Sequence, residues 1–166
     1  MTLAGVLKFK AWMTQALNLV LIITVALLVL DVCWGVFTRY VLGEQAKWTE
    51  ELARFLLIWV ALLGAAVAFG QRAHLGVDYF IGKFDPEARK VMMVFANLMV
   101  LFFAAAIFVY GGWRMVADTL AIGQKTPALQ WEMGYVYLAV PISGVFMVIY
   151  SIENLIETLA AKEEGE

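Results

Sequence analysis

Four stretches of this chain carry no formal charge, and they constrain its fold more than any other feature. They are residues 11–30, 55–71, 91–113 and 133–152, of 20, 17, 23 and 20 residues. Lys10 and Asp31, Arg54 and Arg72, Lys90 and Arg114, and Glu132 and Glu153 bound them. An α-helix needs about 20 apolar residues, within a range of about 17–25, to cross a hydrocarbon core about 30 Å thick. All four windows meet that length. The connections between them are too short and too apolar to be domains of their own. The chain is therefore read as an all-α integral membrane protein, a single domain over 1–166. Its four transmembrane helices are expected near 11–38, 50–71, 87–115 and 132–157.

Composition agrees. Of 166 residues, 63% are hydrophobic and 16% charged, with a mean hydropathy of +0.82. Soluble domains are about 45–50% apolar and about 25% charged, so a soluble enzyme or a disordered tail is excluded. Twelve basic and fourteen acidic residues leave a net charge of −2, with no basic excess to attract nucleic acid. The single cysteine, Cys33, and single histidine, His74, exclude an internal disulfide, a multi-cysteine metal or iron–sulfur site, and a haem held by two histidines of this chain.

The first window exceeds a signal-peptide core and lacks an A-x-A site after it, so it reads as an uncleaved helix. With the N-terminus inside, one side carries Lys8, Lys10, Arg72, Lys83, Arg89, Lys90 and Lys162. The other carries Arg39, Lys47, Arg114 and Lys125. This asymmetry places both termini in the cytoplasm. Residues 72–90 mix Leu75, Val77, Tyr79, Phe80 and Ile81 with charges, the pattern of an amphipathic segment lying on the membrane surface. Asp85-Pro86-Glu87 has the order of a helix start. Gly43 reads as a helix stop, Thr126-Pro127 as an extended break, and Pro141 as a kink in the fourth span.

The densest polar feature is Trp48-Thr49-Glu50-Glu51-Leu52-Ala53-Arg54, followed by Trp59. Thr49 suits a helix cap, and the two glutamates suit the positive end of a helix dipole. Both lie three or four residues before Arg54, where either can pair with it. A self-neutralised helix start and a polar contact with a neighbouring subunit are both compatible with this pattern. Asp31, followed by Arg39 two turns later, reads as an interfacial or subunit-contact residue in preference to an ion ligand. Asn97 is expected to face another helix. Ala61, Gly64, Ala65 and Ala68, and Ala104 to Ala106 with Gly111 and Gly112, allow close helix approach. Walker, nucleophile-elbow and zinc-protease motifs are absent from the sequence, so no enzymatic activity is expected. Charge gathers at the ends of the spans, which makes an accessory subunit the economical reading. The rivals are a self-sufficient small transporter using Asp31 or Glu50, and a membrane anchor for a redox enzyme.

The chain resembles the small membrane subunit of tripartite ATP-independent periplasmic (TRAP) transporters, of the dicarboxylate-type Q family. The residues that carry the resemblance are Arg39-Tyr40-Val41, Trp48-Thr49-Glu50-Glu51-x-x-Arg54, Trp59, Gly64-Ala65, His74-x-x-Val77-Asp78 and the Pro127 to Pro141 region. The resemblance implies a bacterial inner-membrane protein with cytoplasmic termini. It implies a large multi-span permease subunit as partner, which carries sodium and substrate sites and works as an elevator. It also implies a periplasmic binding protein that delivers an organic or sialic acid. No cofactor is then expected in this chain; sodium is expected in the partner. The small subunit would enlarge the fixed scaffold. Arg39, Glu50, Glu51 and Arg54, with Trp48 and Trp59, would orient the second helix and its junction with the partner or the binding protein. Arg72, His74 and Asp78 would anchor the cytoplasmic segment. Trp34, Trp48, Trp113 and Trp131 would set depth among membrane lipids.

Overall fold

A computed structural model describes residues 3–44, 46–71 and 85–160. Among these residues four helical stretches are long and apolar enough to cross a membrane, and no strand is present beyond one isolated bridge, Lys125 to Glu132. The chain is an all-α membrane protein. The amphipathic segment expected between the second and third spans lies outside the described residues.

Helix α1 runs from Leu3 to Val41. At 1.5 Å per residue its 39 residues span about 58 Å, far more than a bilayer core. The chain leaves it through Gly43, whose φ of 79° is left-handed. Helix α2 follows over Lys47–Gly70. The third stretch is continuous but not uniform: α3 at Pro86–Phe103, a π-helical segment at Ala104–Gly111, and α4 at Gly112–Ile122. It ends at Gly123 in the left-handed conformation, φ 67°. The fourth is α5, Met133–Tyr137, then α6, Ala139–Ala160.

The break at Leu138 has a local cause. Pro141 has no N–H to offer the Tyr137 carbonyl, and its ring crowds the preceding turn. Regular bonding resumes with Ile142 N–H to the Leu138 carbonyl at 3.1 Å. Gly112 leaves the room this kink needs: a Cβ there would sit 2.9 Å from Val140 and 3.1 Å from Pro141. One turn further on, a Cβ on Gly144 would lie 2.6 Å from Phe108 Cβ, so the π-helical segment and α6 pack almost backbone to backbone.

The bundle is held at the end that carries the chain termini. Met13 and Leu17 of α1, Leu63, Val67 and Phe69 of α2, and Tyr150 of α6 form its buried core. Gly70 lies under the Tyr150 ring, whose carbons would be 2.8 Å from a Cβ built at position 70. The Tyr150 hydroxyl meets Thr14 Oγ1 at 3.0 Å, and Lys10 donates to Asn154 at 3.3 Å. Asn97 faces α6 as its isolation in an apolar span predicts. Its amide donates to the Ser151 carbonyl at 3.3 Å, and the Ser151 hydroxyl donates back to the Asn97 carbonyl at 2.9 Å. Such reciprocal bonds bind helices in a medium that offers no competing water.

From Leu21 onward the buried and half-buried positions of α1 fall at Leu21, Thr24, Leu28, Asp31, Gly35 and Thr38. This alternation of four and three is the seam of a left-handed coiled coil, and α2 packs along it. The rest of α1 is open from Trp12 to Tyr40.

Candidate subunit-contact site

The opposite end of the bundle carries a second group of polar residues. There α1 continues about 16 Å beyond its charge-free window, from Asp31 to Val41, and the third helix about 13 Å beyond its own, from Arg114 to Ile122. Trp113 is therefore nine residues short of the helix end, and level with the Pro141 kink. Between α4 and α5 the chain forms a narrow loop. Thr126 N–H donates to the Trp131 carbonyl at 2.9 Å and Met133 N–H to the Gln124 carbonyl at 2.9 Å. Gln130 closes the turn with a positive φ of 56°.

Glu51 clamps that loop to α2. One carboxylate oxygen accepts the Ala128 N–H at 2.9 Å and the other the Leu129 N–H at 2.9 Å. Residue spacing alone offers both glutamates to Arg54; the structure separates them. Glu50 takes the ion pair with Arg54, at 3.4 Å on an exposed face. Glu51, turned about 100° around the helix, reaches the loop. Thr49 also departs from the role its position implies. Helix α2 begins earlier, with Ala46 at the N-cap. Thr49 is buried in the first turn, donates to the Ala46 carbonyl at 2.7 Å, and abuts Gly35 of α1. Asp85 does occupy the N-cap of α3, with Pro86 in the first turn, but makes no side-chain capping bond.

Beside the clamp, α1 and α2 diverge around an open groove of about 290 Å³. Asp31, Gly35, Arg39, Thr49, Glu50 and Ala53 line it. Asp31 is only 6% exposed, and neither of its carboxylate oxygens has a hydrogen-bond partner among the described residues. Burying a carboxylate without a partner is among the larger single penalties a membrane helix can carry. Arg39, two turns along, lies over the Tyr40 ring instead, 5.9 Å from its centre.

A second, apolar groove of about 280 Å³ lies where Thr24, Leu52, Phe55, Trp59, Trp131 and Tyr135 meet. Trp59 is half-buried here and packs on the core, whereas Trp48 is 40% exposed. The structure thus brings Arg39, Glu50 and Asp31 to one groove, Glu51 to the loop, and Trp59 to the second groove. Trp34 stacks on Phe37 at 5.7 Å. Arg72, His74 and Asp78 lie outside the described residues. Asp31 and Thr126, which is 2% exposed, are the residues whose importance the spacing understated.

Residues 28–161 match the family model described as tripartite ATP-independent periplasmic transporters, DctQ component. The chain belongs to this family. As a DctQ component it is a multi-pass small permease subunit of a TRAP transporter, and its relatives are transporter components, not enzymes. It is 29% identical over 141 residues to the sialic acid TRAP transporter small permease protein SiaQ of Vibrio cholerae, covering 83% of this chain and 80% of that one. It is 26% identical over 144 residues to the ectoine TRAP transporter small permease protein TeaB of Halomonas elongata, covering 82% and 72%. It is also 28% identical over 113 residues to the isethionate TRAP transporter permease protein DctMQ of Oleidesulfovibrio alaskensis. That match covers 68% of this chain but only 18% of the longer protein. In that relative, a segment like this DctQ component is part of a much larger permease chain.

Proposed function

We propose that this chain is the stationary brace of a sodium-coupled, binding-protein-dependent carrier of organic or sialic acids. It pairs in a bacterial inner membrane with a large permease subunit of the elevator type, and that partner holds the sodium and substrate sites. Both termini lie in the cytoplasm. The end carrying Glu51 and the 124–132 loop lies in the periplasm, where it adds to the surface on which the binding protein docks.

One observation carries this reading: the polar equipment is gathered at the ends of long, tightly packed helices. The α3–π segment–α6 contact is nearly backbone to backbone at Gly144, and Tyr150 is wholly buried. Such a packed core resists sliding, which suits a frame against which another domain moves. The large relative DctMQ, most of whose length lies outside the match, supports a partner of that kind.

The test is reconstitution into liposomes, with sodium present in or absent from the external medium. The chain alone should move no solute. Paired with its large subunit and supplied with binding protein, it should support sodium-dependent uptake of a sialic or other organic acid. Solute flux through the chain alone would overturn the reading in favour of a self-sufficient transporter. Haem bands in the purified pair would favour a redox anchor.

A further inference from the structure

We infer that the α1–α2 groove receives a basic side chain from a membrane helix of the large permease subunit, and that Asp31 is its counter-charge. The inference rests on the proposed pairing and specifies where and by what chemistry that pairing occurs.

Two independent observations meet here. The first is charge. Asp31 is only 6% exposed, lines the groove, and has neither carboxylate oxygen hydrogen-bonded among the described residues. Of the other charges lining the groove, Glu50 pairs with Arg54, and Arg39 lies over Tyr40 and donates no hydrogen bond to Asp31. What completes the groove is therefore a cation, with its own donors, entering from outside the chain.

The second is shape. Glu50, Arg54, Leu57, Ala61, Ala65 and Ala68 are all exposed and recur every three or four residues, so they form one outward stripe of α2. Glu50 heads this stripe and also lines the groove. No helix of this chain covers Ala61, Ala65 or Ala68 among the described residues. A foreign helix lying along these small side chains can approach α2 closely. At its upper end it would pass the mouth of the groove beside Val36, which is 51% exposed. A lysine or arginine at that height reaches Asp31 as the carboxylate turns toward the groove. A phospholipid would satisfy the apolar stripe without needing the alanines; a second copy of this chain, which carries Arg39 and Arg54 at this height, is the rival that the crosslinks separate.

The experiment uses the co-expressed small and large subunits. A photoreactive benzoylphenylalanine is placed singly at Val36 and at Ala65. Illumination should join both positions to the large subunit, and the peptide captured from Val36 should contain a lysine or arginine. Asp31→Lys should lower the recovered complex at least about tenfold, because it sets like charges together in a buried site. Exchanging the captured basic residue for aspartate should restore it, which also shows that the Asp31→Lys chain folds. Crosslinks only to lipid or to a second copy, a captured peptide without a basic residue, or wild-type recovery of the Asp31→Lys complex would each overturn the inference. If the unmodified subunits fail to co-purify, the proposed function itself falls.

Discussion

Glu51 and Leu129 stand 78 residues apart in sequence, yet a carboxylate oxygen of one accepts the backbone N–H of the other at 2.9 Å. The second oxygen takes the neighbouring Ala128 N–H at the same distance. One side chain thus satisfies two adjacent amides of a loop that no regular structure would otherwise pair. The loop between the third and fourth helices is thereby fixed to the start of the second.

Replacing Glu51 with Gln tests this clamp. A glutamine offers one acceptor oxygen and turns an N–H₂ group toward the other amide, so at least one bond is lost. Amide hydrogen exchange of peptides covering 124–132 should accelerate several-fold, while exchange at the core around Tyr150 stays unchanged. Under the proposed docking role, uptake driven by the binding protein should fall in the same variant. Wild-type exchange in the loop would show that the clamp contributes nothing in the membrane.

The contact between Gly70 and Tyr150 governs the other end of the bundle. A methyl group at position 70 would fall 2.8 Å from three ring carbons of a fully buried tyrosine. Gly70→Ala should therefore destabilise the purified protein by about 1–3 kcal/mol, the usual cost of overpacking, seen as a lower melting temperature in detergent. Tyr150→Phe removes only the 3.0 Å bond to Thr14 and should cost about 1 kcal/mol, in line with interhelical hydrogen bonds in membranes. A Gly70→Ala protein as stable as the parent would mean that α2 and α6 part easily.

Those two contacts mark what is and is not legible in the sequence. Membrane helices announce themselves because lipid tolerates few charges, so Lys10, Asp31, Arg54 and Glu153 delimit the apolar runs without any knowledge of tertiary structure. Local chemistry was legible too at Gly43, Pro141 and Asn97, where a single residue type limits the backbone or demands a polar neighbour. The partners of Glu51 were not. Two adjacent acids before an arginine look equivalent as a string, and only the rotation of about 100° per residue, with a loop folding back from far along the chain, assigns them different tasks. Thr49 shows the same limit, since its burial against Gly35 depends on where α1 lies. The π-helical segment left no pattern in its apolar run, because widening one turn changes the backbone without changing the demand for hydrophobic side chains.

Arg54 separates stability from assembly. Its pair with Glu50 is exposed on both sides, 65% and 70%, and exposed pairs of this spacing contribute at most a few tenths of a kcal/mol. Arg54→Ala should leave the melting temperature of the isolated subunit unchanged. If Arg54 contacts the partner, the same variant should recover less large subunit on co-purification, or lower uptake by the assembled carrier. Wild-type assembly together with wild-type uptake would remove Arg54 from the contact surface.

Asp31 distinguishes a counter-charge from an ion-coupling site. A carboxylate that binds the coupling ion sets how uptake depends on sodium, whereas one that pairs with a partner's side chain sets how much carrier assembles. Asn keeps the size of the side chain and can still accept a hydrogen bond, so Asp31→Asn should preserve part of the complex. Uptake normalised to the amount of assembled carrier should then show the same half-saturating sodium concentration and the same steepness as the parent. A raised or abolished sodium requirement in that measurement would transfer part of the coupling machinery to α1. It would also explain the buried carboxylate by an ion instead of by a neighbouring subunit.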